Sequence, residues 1–466
     1  MGRNRLGAVR LSSVRMGQDT IAQGAQLPGV NAMFGARKNN QIDSARPARR
    51  RVAVHVESRL AQNEAIQERI VDAVAPRACT PLVAPVGQVP DVDAVFALYP
   101  DLETLDALAR AVRAQRERRD DGLPVLVVGL SPDHLTAFGG WLARAARDDA
   151  VHGLRLLVDR DPSVVISRLE AYLEPVYETN IIAMPVSVEV ETREYKYFFC
   201  LSPELRGLLN YLTELAENNV ERIYLLGGPG AGKTSLAYYY YLCRQRGNFV
   251  TVNLSAESTD DKAAMKSLLC GHVSGAFAGA GSRTGAFSHA REGVCFLDES
   301  HGVSGSVMEV LMEALDSGQY LPYGASAKRP LECALVFASN RNWETLISAV
   351  NMDEHARLAA QVLHLPDLAV RREDLVAVLA VTLDNMRRRA TTWQAPAGLT
   401  HAAWQAVCNC PWRGNTRALI RVIETAFVTA ATRRAPLIER DAIDDALALW
   451  EPETHASHGL YTIGGR

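Results

Sequence analysis

Gly227-Gly228-Pro229-Gly230-Ala231-Gly232-Lys233-Thr234 is the stretch on which the reading of this chain turns. It fits the pattern G-x-x-x-x-G-K-[ST]. The apolar run Ile223-Tyr224-Leu225-Leu226 ahead of it reads as a buried strand, and Ser235-Leu236-Ala237 behind it opens a helix. Glycines let successive backbone N–H groups turn inward around a phosphate, and the helix N-terminus adds its dipole. In that setting Lys233 reaches the outer phosphates and Thr234 holds Mg²⁺. A plain Gly-rich turn can carry the same letters. The strand before and the helix after select nucleotide binding by residues 227–235.

Further on, Val294-Cys295-Phe296-Leu297-Asp298-Glu299 is an apolar strand ending in two carboxylates. Beside a phosphate loop such a pair has a use. Asp298 would hold Mg²⁺, directly or through water, and Glu299 would polarise an attacking water. Leu335-Val336-Phe337-Ala338-Ser339-Asn340 is a strand ending in an amide. On an adjacent strand, Asn340 would lie between that water and the γ-phosphate.

Between these elements, Gly271-His272-Val273-Ser274-Gly275-Ala276-Phe277-Ala278-Gly279-Ala280 closely resembles the G-H-x-x-G-A-F-T-G-A loop of bacterial enhancer-binding proteins, the AAA+ activators of sigma-54 RNA polymerase. The resemblance runs in the family's order from about Ser202 to Leu419, nearly half the chain. Ser202-Pro203-Glu204-Leu205 looks like the entry helix. Asn253 matches the strand Asn that pairs with the catalytic Glu as a switch. Thr284-Gly285-Ala286-Phe287 resembles the family's G-x-F, and Asn340-Arg341 its sensor pair. Leu365-Pro366-Asp367-Leu368 with Arg371-Arg372-Glu373-Asp374 is similar to L-P-P-L-R-E-R-x-x-D-I. Pro411-Trp412-Arg413-Gly414-Asn415-Thr416-Arg417 resembles P-W-P-G-N-V-R, whose Arg senses nucleotide from the lid. The resemblance implies a homo-oligomeric ring, expected as a hexamer, in which Arg357 is an arginine finger acting in trans. It also implies a client loop, Gly275 to Ala280, that engages sigma-54.

Two departures bear on the client. The family's loop Thr is Ala278 here, although Phe277 still offers an apolar tip. The first of two finger arginines is Asn351. No helix-turn-helix is read after the lid, so the protein is expected to act without its own DNA contact, or on a different client. Asp298-Glu299-Ser300-His301 spells a helicase box. The loop insertion and the lid motif favour a ring ATPase over a helicase.

At 466 residues the chain exceeds a single core, so two or three domains are expected. Apolar residues make up 48%, charged residues 22%, and the net charge is -3, which suits a globular protein without a global pull towards nucleic acid. No apolar run reaches the length of a membrane span, and no secretory core opens the chain. The eight Cys lack paired metal spacing and read as reduced thiols of a cytoplasmic protein. Residues 1–51 carry ten Lys/Arg against two Asp, a basic tail expected to be disordered and solvated, or an arm for nucleic acid or an acidic partner.

From residue 51 to 173 strands and helices alternate in a way that resembles a receiver domain. Its chemistry is missing, since Tyr99 stands at the phosphoacceptor position, Glu57 is what is left of the acidic pair, and Asp159-Arg160 replaces the Lys. A receiver-like sensor or docking domain that takes no phosphate is expected, and a small-ligand sensor of similar fold fits equally well. The run Tyr238 to Tyr241 reads as packing and His272 as structural. The expected fold is α/β. A basic tail (1–50), receiver-like doubly wound domain (51–173) and linker (174–200) precede an AAA+ parallel-sheet core (201–373), a helical lid (374–450) and a tail (451–466).

Overall fold

The structure, a computed structural model, describes residues 50–57, 60–77, 79–83, 89–119, 121–148, 151–177, 181–185, 195–254, 262–300, 305–341 and 361–451. The first unit contains β1 (Arg50–Val56), α1 (Glu64–Val74), β2 (Cys79–Val83), β3 (Ala94–Leu98), α2 (Leu102–Arg116), β4 (Val125–Leu130), α3 (Leu135–Arg147), β5 (Leu154–Val158) and α4 (Pro162–Ser167). Its sheet runs β2-β1-β3-β4-β5 with every pairing parallel. This is a doubly wound order. β3 and β4 are buried along their whole length, which is why the sequence writes them as unbroken apolar runs. α1 starts at Glu64, because the Asn63 side chain accepts the Ala65 amide at 3.1 Å and caps the helix there. α4 is short, and the chain beyond it tightens into a 3₁₀ turn over Leu169–Tyr172.

A hairpin of β6 (Ile181–Pro185) and β7 (Tyr195–Phe199) follows. Val186-Ser187-Val188-Glu189-Val190, whose alternation in sequence suits a strand, lies outside the described residues. Next come α5 (Pro203–Glu217), β8 (Arg222–Leu226), α6 (Lys233–Arg244), β9 (Phe249–Asn253), α7 (Lys262–Cys270), β10 (Gly271–His272), β11 (Arg283–Thr284), α8 (Ala286–His289), β12 (Val294–Asp298), α9 (Gly305–Ser317), β13 (Gln319–Tyr320), β14 (Arg329–Pro330), β15 (Ala334–Ser339) and β16 (Gln361–His364). The central sheet runs β16-β8-β15-β12-β9, all parallel. Its two faces feed separate apolar clusters. Tyr224, Cys295 and Phe337 enter one, and Ile223, Phe296 and Val336 the other. Tyr238, Tyr239 and Tyr240 are buried in the second, so the tyrosine run is packing.

The lid is α10 (Arg372–Arg389), α11 (His401–Asn409), α12 (Asn415–Thr432) and α13 (Arg440–Trp450). Trp412 is fully buried in it and donates Nε1–H to the Val407 carbonyl at 2.9 Å. Among the described residues no helix is long and apolar enough to cross a membrane.

The first unit and the lid share one apolar core. Phe138, Trp141 and Leu142 of α3 pack with Leu375, Leu379 and Leu383 of α10. Gly139 lets the two backbones close up, because a Cβ there would stand 1.9 Å from the Ala380 carbonyl oxygen. Beside this contact Arg155 of β5 and Glu373 of α10 form a buried ion pair at 2.9 Å, and Glu373 also accepts the Leu156 amide at 2.8 Å. Burial pushes the Glu373 carboxyl up to about 7, with Arg155 and the Leu156 amide pulling the other way. A carboxyl raised on folding stabilises the fold below its unfolded value of 4.5, and that contribution is lost as pH rises through about 7. Unfolding free energies of the wild type and Glu373→Gln, compared from pH 5 to 8, are therefore expected to shift against the wild type by a few kcal/mol at most. A difference that stays constant over this window would mean that Glu373 is ionised throughout.

Candidate active site

The phosphate loop sits at the C-terminal end of β8 and opens α6, as a parallel sheet requires of a ligand site. Gly230 and Gly232 hold φ of 72° and 109°, which side-chain-bearing residues rarely adopt. Space reinforces this. A Cβ on Gly232 would stand 2.3 Å from the Phe198 ring, and one on Gly230 would stand 2.7 Å from the Gly414 carbonyl oxygen. The loop is thus walled by the hairpin on one side and by the lid on the other. Lys233 is buried, and its Nζ donates to the Gly227 and Gly228 carbonyls at 2.8 and 3.2 Å. Burial pulls its ammonium below the usual lysine range, while the nearby charges of Asp298 and Glu299 oppose that pull.

β15 lies between the phosphate-loop strand β8 and the carboxylate strand β12. Asn340 therefore emerges between the loop and the acids. Its Nδ2 is 3.5 Å from Glu299 Oε2. Asp298 pairs in register with Asn253 of β9, which brings that amide to the same sheet end. Glu299 takes a left-handed φ of 54°, and its amide donates to Asp298 Oδ1 at 2.9 Å. The next residue secures the turn. Ser300 Oγ donates to the Ala338 carbonyl at 2.8 Å and bonds to the Tyr224 hydroxyl. A strained, anchored carboxylate is a common feature of catalytic ends of strands. The Thr234 hydroxyl and the Asp298 carboxylate are hard-oxygen donors of the kind Mg²⁺ takes.

The lid reaches the loop through motif residues to which the sequence assigned no role of their own. Asn415 Nδ2 donates to the Pro229 carbonyl at 3.3 Å and Thr416 Oγ1 to that of Gly230 at 2.6 Å. Arg417 is exposed, and its charge is felt at Lys233. Arg371 is buried, donates Nη1–H to the Ala231 carbonyl at 3.0 Å, and lies over the Phe198 ring at 5.2 Å. Phe198 carries no motif, and only its place before the entry helix could have pointed to it. Arg357 and Asn351 lie outside the described residues.

The segment Gly275 to Ala280 rises between β10 and β11 as a tight turn. The Gly275 amide donates to the Ala280 carbonyl, and the Ala280 amide to the Phe277 carbonyl, both at 3.0 Å. Phe277 is 50% exposed at its tip. One side of its ring rests 5.0 Å from His272 and 6.3 Å from Tyr323. Tyr323, unremarked in the sequence, is stitched to the loop base by the Val273 amide at 3.1 Å and by its own amide to Gly271 at 2.8 Å. His272 Nδ1 bonds Ser267 Oγ at 2.7 Å, in keeping with a structural role.

Residues 199–364 match the Sigma-54 interaction domain. The Psp operon transcriptional activator of Escherichia coli (strain K12) is 30% identical over 241 residues, covering 49% of this chain and 73% of that protein. The chain belongs to the sigma-54 activator family of AAA+ ATPases. The Nif-specific regulatory protein of Herbaspirillum seropedicae is 32% identical over 219 residues, 46% of this chain but only 39% of its own length. A crystal structure of NtrX from Brucella abortus overlaps 85% of this chain and 84% of its own, at 18% identity and a TM-score of 0.46. Ala278 stands beside the exposed Phe277 in the loop of this chain.

Proposed function

We propose that this protein is an ATP-hydrolysing ring ATPase of the cytoplasm that remodels the sigma-54 RNA polymerase holoenzyme to regulate transcription. The observation that carries the reading is the half-exposed Phe277 at the tip of the turn that joins the two-stranded β10-β11 hairpin, inserted in sequence between β9 and β12 of the sheet that carries the phosphate loop. Residues Gly227 to Ser235 would bind the phosphates of ATP, with Lys233 supplying charge and Arg417 sensing nucleotide from the lid. Mg²⁺, held by Thr234 and Asp298, would neutralise phosphate charge. Glu299 would take the proton from the attacking water, and Asn253 and Asn340 would orient Glu299 towards the γ-phosphate side. In a hexameric ring Arg357 would complete the neighbouring subunit's site in trans. Each cycle would raise and lower the 275–280 loop against the client.

A second reading, a ring remodeller that serves a client other than sigma-54, is favoured by Ala278, which lacks the hydroxyl the family's loop presents. Co-sedimentation with sigma-54, with and without a transition-state ATP analogue, separates the two. Analogue-dependent binding that falls at least about tenfold in Phe277→Ala is the expected result, since a buried Phe is worth roughly 1.5–3 kcal/mol. Ring formation and hydrolysis without any sigma-54 binding would favour the second reading.

A further inference from the structure

The first turn of α10 joins four parts of the molecule. Arg371, just before it, donates to the Ala231 carbonyl of the phosphate loop at 3.0 Å and to Asp374 at 2.9 Å. Arg372 donates to the Cys408 carbonyl inside the lid. Glu373 holds Arg155 and the Leu156 amide of β5. Asp374 accepts the Leu201 and Ser202 amides, at 2.6 and 3.2 Å, where the chain enters the core. Arg371, Glu373 and Asp374 are all at most 2% exposed. Four successive residues thus grip the phosphate loop, the lid, the sensor and the core entry.

We infer that the sensor domain and the lid are one rigid body, and that the start of α10 is the joint through which this body follows the state of the phosphate loop. The half that concerns nucleotide rests on the proposed ATP site; the rigid body does not. Close packing supports the first half. α3 and α10 meet backbone to backbone at Gly139, and a Cβ on neighbouring Gly140 would stand 2.9 Å from Asp384 Oδ1, so neither helix can slide without lifting the other. The Arg155 guanidinium also lies 4.5 Å above the Tyr172 ring, which fixes it from the sensor side. The second half follows from helix geometry. Arg371 and Glu373 sit on one rigid turn, so a displacement of the Ala231 carbonyl on nucleotide binding turns the same element that Arg155 holds. The receiver-like unit then needs no phosphoacceptor, because what it senses is carried by the angle of the lid.

Hydrogen exchange on the full chain tests both halves. Gly139→Leu wedges the helices apart. Without nucleotide, α3 and residues 375–383 of α10 are expected to exchange at least about tenfold faster together, while β12 and β15 are unchanged. Faster exchange in α3 alone overturns the rigid body. With ATPγS and Mg²⁺, wild-type residues 154–158 are expected to slow together with residues 227–236. In Arg155→Met/Glu373→Gln, which removes both charges yet leaves an acceptor for the Leu156 amide, residues 227–236 should still slow and residues 154–158 should not. Slowing confined to residues 227–236 in the wild type overturns the joint. No slowing at residues 227–236 overturns the ATP site and the joint with it, and the Gly139→Leu comparison still decides the rigid body.

Discussion

Glu299→Gln is expected to bind ATP as the wild type does and to lose turnover by about 10²- to 10⁴-fold, the usual worth of a positioned general base. Glutamine keeps the length and shape of the side chain. It can therefore hold the left-handed turn at φ 54°, the amide contact to Asp298 Oδ1 and the approach to Asn340. What it cannot do is take a proton. The phosphate loop and Lys233 stand on other strand ends and are untouched, so affinity for a fluorescent ATP analogue should stay within about twofold while phosphate release collapses. The distinction matters because Asp298 and Glu299 are adjacent and both act on Lys233. Loss of binding along with turnover would mean that Glu299 shares in holding the metal. Unchanged turnover would remove it from the chemistry altogether.

The parts of this molecule that were legible are those in which function sits on a buried parallel strand. Such strands are covered on both faces, so they must be continuous apolar runs, and any polar residue at their C-terminal end stands out against them. Ile223 to Leu226, Val294 to Leu297 and Leu335 to Ala338 are of this kind, and all are buried. The residues that follow them, Gly227, Asp298, Glu299 and Asn340, converge because β15 threads between β8 and β12. The doubly wound order of the first unit was legible for the same reason.

What the chain did not disclose depends on contacts between residues far apart in sequence that carry no signature of their own. Phe198 looks like any strand phenylalanine, yet it fills the space against Gly232 that only the missing Cβ leaves open. Arg155 stands in an apolar run and reads as an edge charge, yet it is buried against Glu373, 218 residues away. Gly139 and Gly140 read as weak points in a helix, yet they are where α10 docks. Periodicity reports that a face is apolar. It does not report which other face covers it, and here α3 and α10 cover each other across the whole ATPase core in sequence.

Lys233→Ala is expected to lower affinity for ATP by at least about 100-fold. The ammonium is seated inside the loop, with its Nζ on the Gly227 and Gly228 carbonyls. Charge-assisted hydrogen bonds are worth about 1.5–3 kcal/mol each, and an outer phosphate offers this group more than one. Losing about 3 kcal/mol is already a factor of about 100 in affinity. The fold should survive, because the wild-type side chain bears a desolvation cost that alanine removes, and the loop keeps its glycine turns and its contacts to Asn415 and Thr416. Lys233→Arg should fail to restore binding, since a planar guanidinium needs room that a loop closed by Phe198 and the lid does not have. Titration of a fluorescent ATP analogue, with melting curves as the control for folding, separates these effects. Wild-type affinity in Lys233→Ala would reduce residues 227–234 to a Gly-rich turn and leave Asp298 and Glu299 without a substrate to act on.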